Sequence, residues 1–304
     1  MQKIIHLIEK YFSIILIIAV IVGLVWNEPF VSWKPVLAYL LAFVLFLSFL
    51  KIHVKDLVIN FKKSRFMVWL LLAQMIIVPI ILFYIINIWN FELALGVLII
   101  VAIPAAVASP ALIDIYKGNI ALGIIVTVIE HLLVIITLPF LIFLLARTKI
   151  DLSAVDILIY MLKVVLVPFL LSIIIKEFFP KIIDKTKHYY KALTVIIISI
   201  VALVAIAVSV KYLTPSWLEI GLYILGFLGL GIIFHFIGWL IAFKQNKEDK
   251  ITSVISLSYN NAALGLLIAI EFFGPMIILF CVCYEIVWNL LPFISKIFFR
   301  YIKK

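Results

Sequence analysis

LALGVLIIVAIPAAVASPALIDIYKGN, residues 93–119, begins as an apolar helix and breaks in its middle. Pro104 and Pro110 each remove a backbone donor and clash with the preceding turn. Ser109-Pro110 reads as a fresh start, with Ser109 as N-cap and Pro110 in the first helical position. The new half-helix runs to about Lys117, where Gly118-Asn119 end it. A second stretch, ITSVISLSYNNAALGLLIAIEFFGP, residues 251–275, carries Ser256, Ser258, Tyr259, Asn260 and Asn261 at its centre. Asn261 or Ser258 can cap a second half that starts near Ala262.

The rest of the chain sets these two stretches in a bilayer. Of 304 residues, 67% are hydrophobic and 13% charged, and mean hydropathy is +1.34. Soluble domains are about half apolar and about a quarter charged. The composition therefore excludes a water-soluble enzyme, a disordered chain and a nucleic-acid binder. A spanning helix needs about 20 mostly apolar residues. Ten such runs are read: 11–26, 35–50, 66–88, 93–116, 119–145, 154–175, 192–212, 217–243, 251–273 and 275–298. Long apolar runs satisfy their backbone in lipid only as helices, and the alternation of a membrane β-barrel is absent. No polar stretch between runs is long enough for a soluble domain, so residues 1–304 read as one membrane domain. The basic N-terminus and first apolar run lack a small-residue cleavage site and read as an uncleaved span.

The formal charge of +10 comes from 25 Lys+Arg against 15 Asp+Glu. With ten spans, 20 of the cationic residues fall on the side of the two termini and 4 on the other, with Lys163 in mid-span. The positive-inside rule then puts both termini in the cytoplasm of a multi-pass protein of the cell membrane.

Ten spans divide into five and five. Five is odd, so a five-helix repeat must be inverted in topology, as in many secondary transporters. The breaks fall in span 4 and in its counterpart, span 9. Unwound backbone at membrane depth has to line a cavity or be buried in protein. Two half-helix N-termini meeting near the midplane, with free N–H groups, favour an anion. Carbonyls freed at the ends of the first halves can hold a cation such as Na⁺.

Ionisable groups at this depth are costly and usually functional. Glu130 and His131 lie near the middle of span 5, Glu285 near the middle of its counterpart span 10, and Lys163 in span 6. All four are candidates for a proton or charge-pair role, with a Glu130–Lys163 or Glu285–Lys163 pair expected. His131 and His235 read as satisfied core histidines rather than ligands, and the glycines of span 8 read mostly as close helix packing. Cys281 and Cys283, two apart on one helix, read as small buried hydrophobes rather than a disulfide or a metal site.

SPALIDIYKGNIALGIIVT (109–127), SLSYNNAALGLLIAIEFFGP (256–275) and Gln74 with Pro79 together resemble the bile acid:sodium symporter family. The resemblance implies ten helices, with discontinuous helices 4 and 9 crossing at the midplane. It implies a panel of about 1–65 and 150–212 and a core of about 66–149 and 213–304. It also implies uptake of an organic anion in symport with Na⁺. Carried over by position, it implies ion-binding candidates at Gln74, Ser109, Thr127, Ser256, Asn260 and Asn261. Asn260 stands where the family has Gln, Pro110 where it has Asn, Gly123 where it has Ser, and Ser256 where it has a Na⁺-binding Glu. With that carboxylate gone, Glu130, or a Glu–Lys163 pair, becomes the candidate for carrying a proton instead.

The expectation is an all-α secondary transporter that moves a small organic anion by alternating access, coupled to Na⁺ or H⁺. Substrate is expected beside Ser109, Pro110, Tyr259, Asn260 and Asn261. Na⁺ as coupling ion is the one cofactor-like group expected, with no metal centre; the lipid bilayer and the anion are the expected partners. An arsenite- or auxin-type efflux carrier of the same superfamily is the alternative. An intramembrane enzyme is remote: such an enzyme needs paired Asp, a Ser/His pair or an HExxH, and no paired Asp motif or HExxH spacing lies in the spans.

Overall fold

A computed structural model describes residues 5, 7–8, 11–50, 64–147, 152–210 and 216–302. Among them every extended element is helical, and the one strand-like feature is a single antiparallel bridge between Ala105 and Asn260. In chain order the main helices are α1 (Phe12–Val25), α2 (Leu37–Phe49), α3 (Arg65–Asn87), α4 (Phe91–Ala102), α5 (Ser109–Tyr116) and α6 (Ile120–Ala146). They continue as α7 (Ala154–Phe178), α8 (Tyr190–Val210), α9 (Trp217–Ile241), α10 (Lys247–Ser258), α11 (Ala262–Phe272) and α12 (Pro275–Ile302).

Among the described residues, six stretches are long and apolar enough to cross a membrane: Arg65–Asn87, Ile120–Ala146, Ala154–Phe178, Pro180–Val210, Trp217–Ile241 and Pro275–Arg300. Shorter apolar helices, α4 and α11 among them, accompany these. The outward faces are apolar too, with Ile14, Ile17, Ile18 and Ile21 exposed on α1 and Leu218, Leu222 and Leu225 on α9. Water would penalise such continuous patches, whereas lipid accepts them. The protein is a multi-pass membrane protein. The polar segment 51–63 and the cations Lys149 and Lys211 lie outside the described residues.

Polar side chains start the helices where the backbone donors have no helical partner. Asn90 accepts from the N–H of Leu93, Asn119 from Leu122, Ser153 from Asp156 and Asn246 from Asp249. Ser216 and Glu219 form a reciprocal capping box on α9. Each such cap is worth about 1 kcal/mol.

α1 packs on α8, and α2 on α7 and α8. α3 packs on α4, α9 on α10 and α12, and α12 also on α4 and α11. α6 touches α5 and α10 and passes on to α7. Backbone approaches closely at Gly238, where an added Cβ would lie 2.7 Å from the Cα of Val254 on α10. The expectation of close packing in this helix holds at Gly231 and Gly238. It does not hold at Gly221, Gly226 and Gly229, around which a Cβ would meet nothing within 4 Å.

Two turns widen to π geometry, Ala73–Ile77 in α3 and Leu162–Leu166 in α7. Pro79 and Pro168 each stand two residues past the end of these turns, and a proline in a helix denies the i−4 carbonyl its donor and crowds it. The widened turn in α3 contains Gln74.

Candidate functional site

The two breaks meet. Ile103 leaves α4 in an extended conformation, and the chain then runs antiparallel to residues 259–261. Ala106 N–H donates to the Tyr259 carbonyl at 2.6 Å, and Asn261 N–H to the Pro104 carbonyl at 2.8 Å. Pro104 can give up its missing donor here because its carbonyl is the group used. Asn260 Nδ2 donates to the Ile100 carbonyl at 2.9 Å, serving a group that the end of α4 would otherwise orphan. Residues 104–106 and 259–261 thus satisfy part of each other's broken backbone, and these residues are buried.

The half-helices begin differently from expectation. Asn261 caps α11, its side chain accepting from Leu264 N–H at 3.3 Å. Ser109 does not cap α5: Ala108 holds that position, Ser109 is the first helical residue, and no side-chain cap exists. The cause is a turn one residue earlier, closed by Ser109 N–H on the Ala106 carbonyl at 2.8 Å. The Ser109 hydroxyl reaches the Tyr259 carbonyl at 3.4 Å instead. α5 ends on Lys117, which takes the left-handed conformation (φ 66°), rather than on Gly118. Gly118 is needed for contact, since a Cβ there would meet Ile113 at 2.8 Å and Ile251 at 2.9 Å.

The expected collar of free N–H groups is smaller than predicted. Those of Ser109, Ala111, Leu112, Ala262 and Leu264 all have backbone acceptors. Among the described residues, Val107, Ala108 and Ala263 N–H have no acceptor, and Ala108 is exposed.

Beside the breaks lies a buried polar group built on α3, α6 and α10. Glu130 Oε2 accepts Ala105 N–H at 2.7 Å and Gln74 Nε2 at 3.2 Å. The same Gln74 nitrogen donates to the Ser256 carbonyl at 3.0 Å. Both partners are acceptors, so the amide orientation is fixed and Gln74 Oε1 is the free end. Gln74 Oε1, Glu130 Oε1, Thr127 Oγ1 and Ser256 Oγ are buried without a partner among the described residues. Asn260 Oδ1 and Ser258 Oγ are in the same condition.

His131, next to Glu130, turns to the other break. Its Nδ1 lies 2.7 Å from the Thr127 carbonyl, which can only accept. In the neutral ring Nε2 then accepts from Asn261 Nδ2 at 3.1 Å. Asn261 therefore caps α11 with its oxygen and binds α6 with its nitrogen.

Other sequence candidates lie elsewhere or are differently used. Tyr259 is fully buried, its hydroxyl 2.6 Å from Ser295 Oγ and its ring against Trp288. It gives the site its carbonyl, not its phenol. Pro110 is half-buried in the first turn of α5. Lys163 is exposed on α7 and makes no ion pair with Glu130 or Glu285, so the expected buried pair does not form. It sits in the widened turn, on the outer surface. Glu285 is buried on α12 with Oε2 unpartnered among the described residues, and no hydrogen bond joins it to the breaks. Cys281 and Cys283 are free and buried.

The model of the sodium bile acid symporter family matches residues 38–216, more than half of the chain. The chain belongs to the sodium bile acid symporter family. A relative named Uncharacterized sodium-dependent transporter YocS, from Bacillus subtilis (strain 168), is 28% identical over 283 residues, covering 90% of this chain and 86% of that protein. Probable sodium/metabolite cotransporter BASS1, chloroplastic, from Arabidopsis thaliana, is 25% identical over 233 residues, 72% of this chain and 56% of its own. Probable sodium/metabolite cotransporter BASS2, chloroplastic, from Oryza sativa subsp. japonica, is 27% identical over 192 residues, 60% of this chain and 45% of its own. Family and relatives are named as transporters, not enzymes. The family match includes Gln74, Ser109, Thr127 and Glu130 and ends before Ser256.

Some partners had no signal in the sequence. The backbone N–H of Ala105 is one, since any residue type supplies it. Ser295 is another: it joins Tyr259 to His235 Nε2, at 2.6 and 2.7 Å, from 36 and 60 residues away. A third is the clasp in which Asn119 Nδ2 donates to Asp249 at 2.8 Å and Asn119 N–H to Thr252 Oγ1 at 2.9 Å.

Proposed function

We propose that this chain is a ten-span secondary transporter that moves a small organic anion together with Na⁺ by alternating access. The observation that carries the reading is the paired break, Ala105 against Asn260, flanked by buried oxygens that lack donors. Membership of a sodium symporter family supports the cation, as do relatives whose names include sodium dependence. In this reading α4–α5 and α10–α11 each count as one span, and the halves are inverted repeats. α1, α2, α7 and α8 form the panel, and α3–α6 with α9–α12 form the core. Both termini face the cytoplasm of the cell membrane. The anion meets the start of α5, where Val107 and Ala108 offer N–H groups at the positive end of a helix dipole. Ser109, Pro110, Asn260 and Asn261 border that position.

Proteoliposomes test the proposal. An inward Na⁺ gradient at equal pH on both sides is expected to drive accumulation of labelled organic anions. A proton gradient that drives uptake in the absence of Na⁺ overturns the Na⁺ assignment.

A further inference from the structure

Glu130 has an incomplete set of partners. Its Oε2 is committed to Ala105 N–H and Gln74 Nε2. Its Oε1 has none, although the residue is fully buried. An acceptor left dry is costly, and an uncompensated buried charge more so.

Three further oxygens share the condition and the place. Gln74 Oε1 belongs to the amide that touches the carboxylate, and Ser256 Oγ to the residue whose carbonyl takes the same amide at 3.0 Å. Thr127 lies three residues before Glu130 on α6, so the two side chains share a helix face. All four residues are at most 2% exposed. Neutral oxygens around one carboxylate are the donor set of a hard monovalent cation. Among the described residues no group of three or more His, Cys, Asp or Glu gathers as a soft or multivalent ion would require.

We propose that Glu130 supplies the negative charge of a Na⁺ site completed by Gln74, Thr127 and Ser256. The proposal rests on the Na⁺-coupled reading above. Position 256 is then a neutral ligand, and the charge is delivered across the interface from α6. One carboxylate balances one cation, so the site takes a single Na⁺. The bond from Oε2 to Ala105 N–H also ties the ion directly to the broken backbone beside the anion position.

The test is thermal unfolding of the purified protein in detergent, titrated with NaCl against choline chloride at constant ionic strength. Na⁺ is expected to raise Tm of the wild type, because an ion bound only by the native state stabilises it. Glu130→Gln keeps an oxygen for Ala105 N–H and loses the charge. Its Na⁺ response is expected to weaken by about tenfold or more in concentration, with Tm in choline kept. Glu130→Asp, which keeps the charge on a shorter arm, is expected to fall between and serves where the Gln variant does not fold. Glu130→Gln with Ser256→Glu is expected to recover part of the response. A wild-type Na⁺ response that survives unchanged in Glu130→Gln overturns the proposal and leaves the Na⁺-coupled reading standing. Absence of any Na⁺ response or Na⁺-driven uptake in the wild type overturns that reading, and the proposal with it.

Discussion

Glu130 accepts the backbone N–H of Ala105 at 2.7 Å, joining the middle of a continuous helix to the gap in a broken one. Without it, a buried N–H beside Pro104 has no acceptor. Glu130→Leu is therefore expected to destabilise the fold by about 1–3 kcal/mol, while Glu130→Gln costs far less. Tm values of the two variants in Na⁺-free buffer check this. Equal losses would mean that the hydrogen bond contributes nothing.

Asn261 serves two helices at once. Asn261→Ala removes the α11 cap, about 1 kcal/mol, and also leaves His131 Nε2 without a donor. Asn261→Asp keeps an oxygen for Leu264 N–H and loses the donor. Lower Tm in both, with the larger drop for Ala, is the expected order.

Lys163 stands apart from the buried carboxylates. Lys163→Ala is expected to leave the Na⁺-dependent rise in Tm unchanged. A loss matching that of Glu130→Gln would show that the two residues act together.

Gly238 and Gly226 share α9 and differ in surroundings. Gly238→Ala forces a Cβ against the α10 backbone and is expected to cost about 1–3 kcal/mol. Gly226→Ala meets nothing and is expected to be neutral or stabilising, since alanine favours a helix by about 1 kcal/mol over glycine. Thermal unfolding of the pair compares them directly.

Apolar runs and two interrupted stretches were enough to read a helical membrane protein with breaks near Pro104 and Asn260. Residue type also flagged Gln74, Glu130, His131 and Asn261 as unusual at that depth. Their wiring was not legible. Which oxygen of Glu130 is engaged depends on a main-chain N–H that no sequence pattern reports. Ser109-Pro110 looked like a cap because the motif is local, whereas the turn that displaces it is set by how residues 104–106 lie along 259–261. Lys163 looked buried because linear position gives depth but not which side of a helix faces outward.

The hydrogen bonds that stitch residues 104–106 to 259–261 have a mechanical meaning. Four half-helices are fastened at one knot, and unfastening it would strand several main-chain groups in a dry interior. Motion that carries a solute past this point has to leave the knot intact. In the proposed transporter the sliding surface would therefore run between the knotted block and its neighbours, and an ion held by Glu130 would travel with the knot as fixed freight.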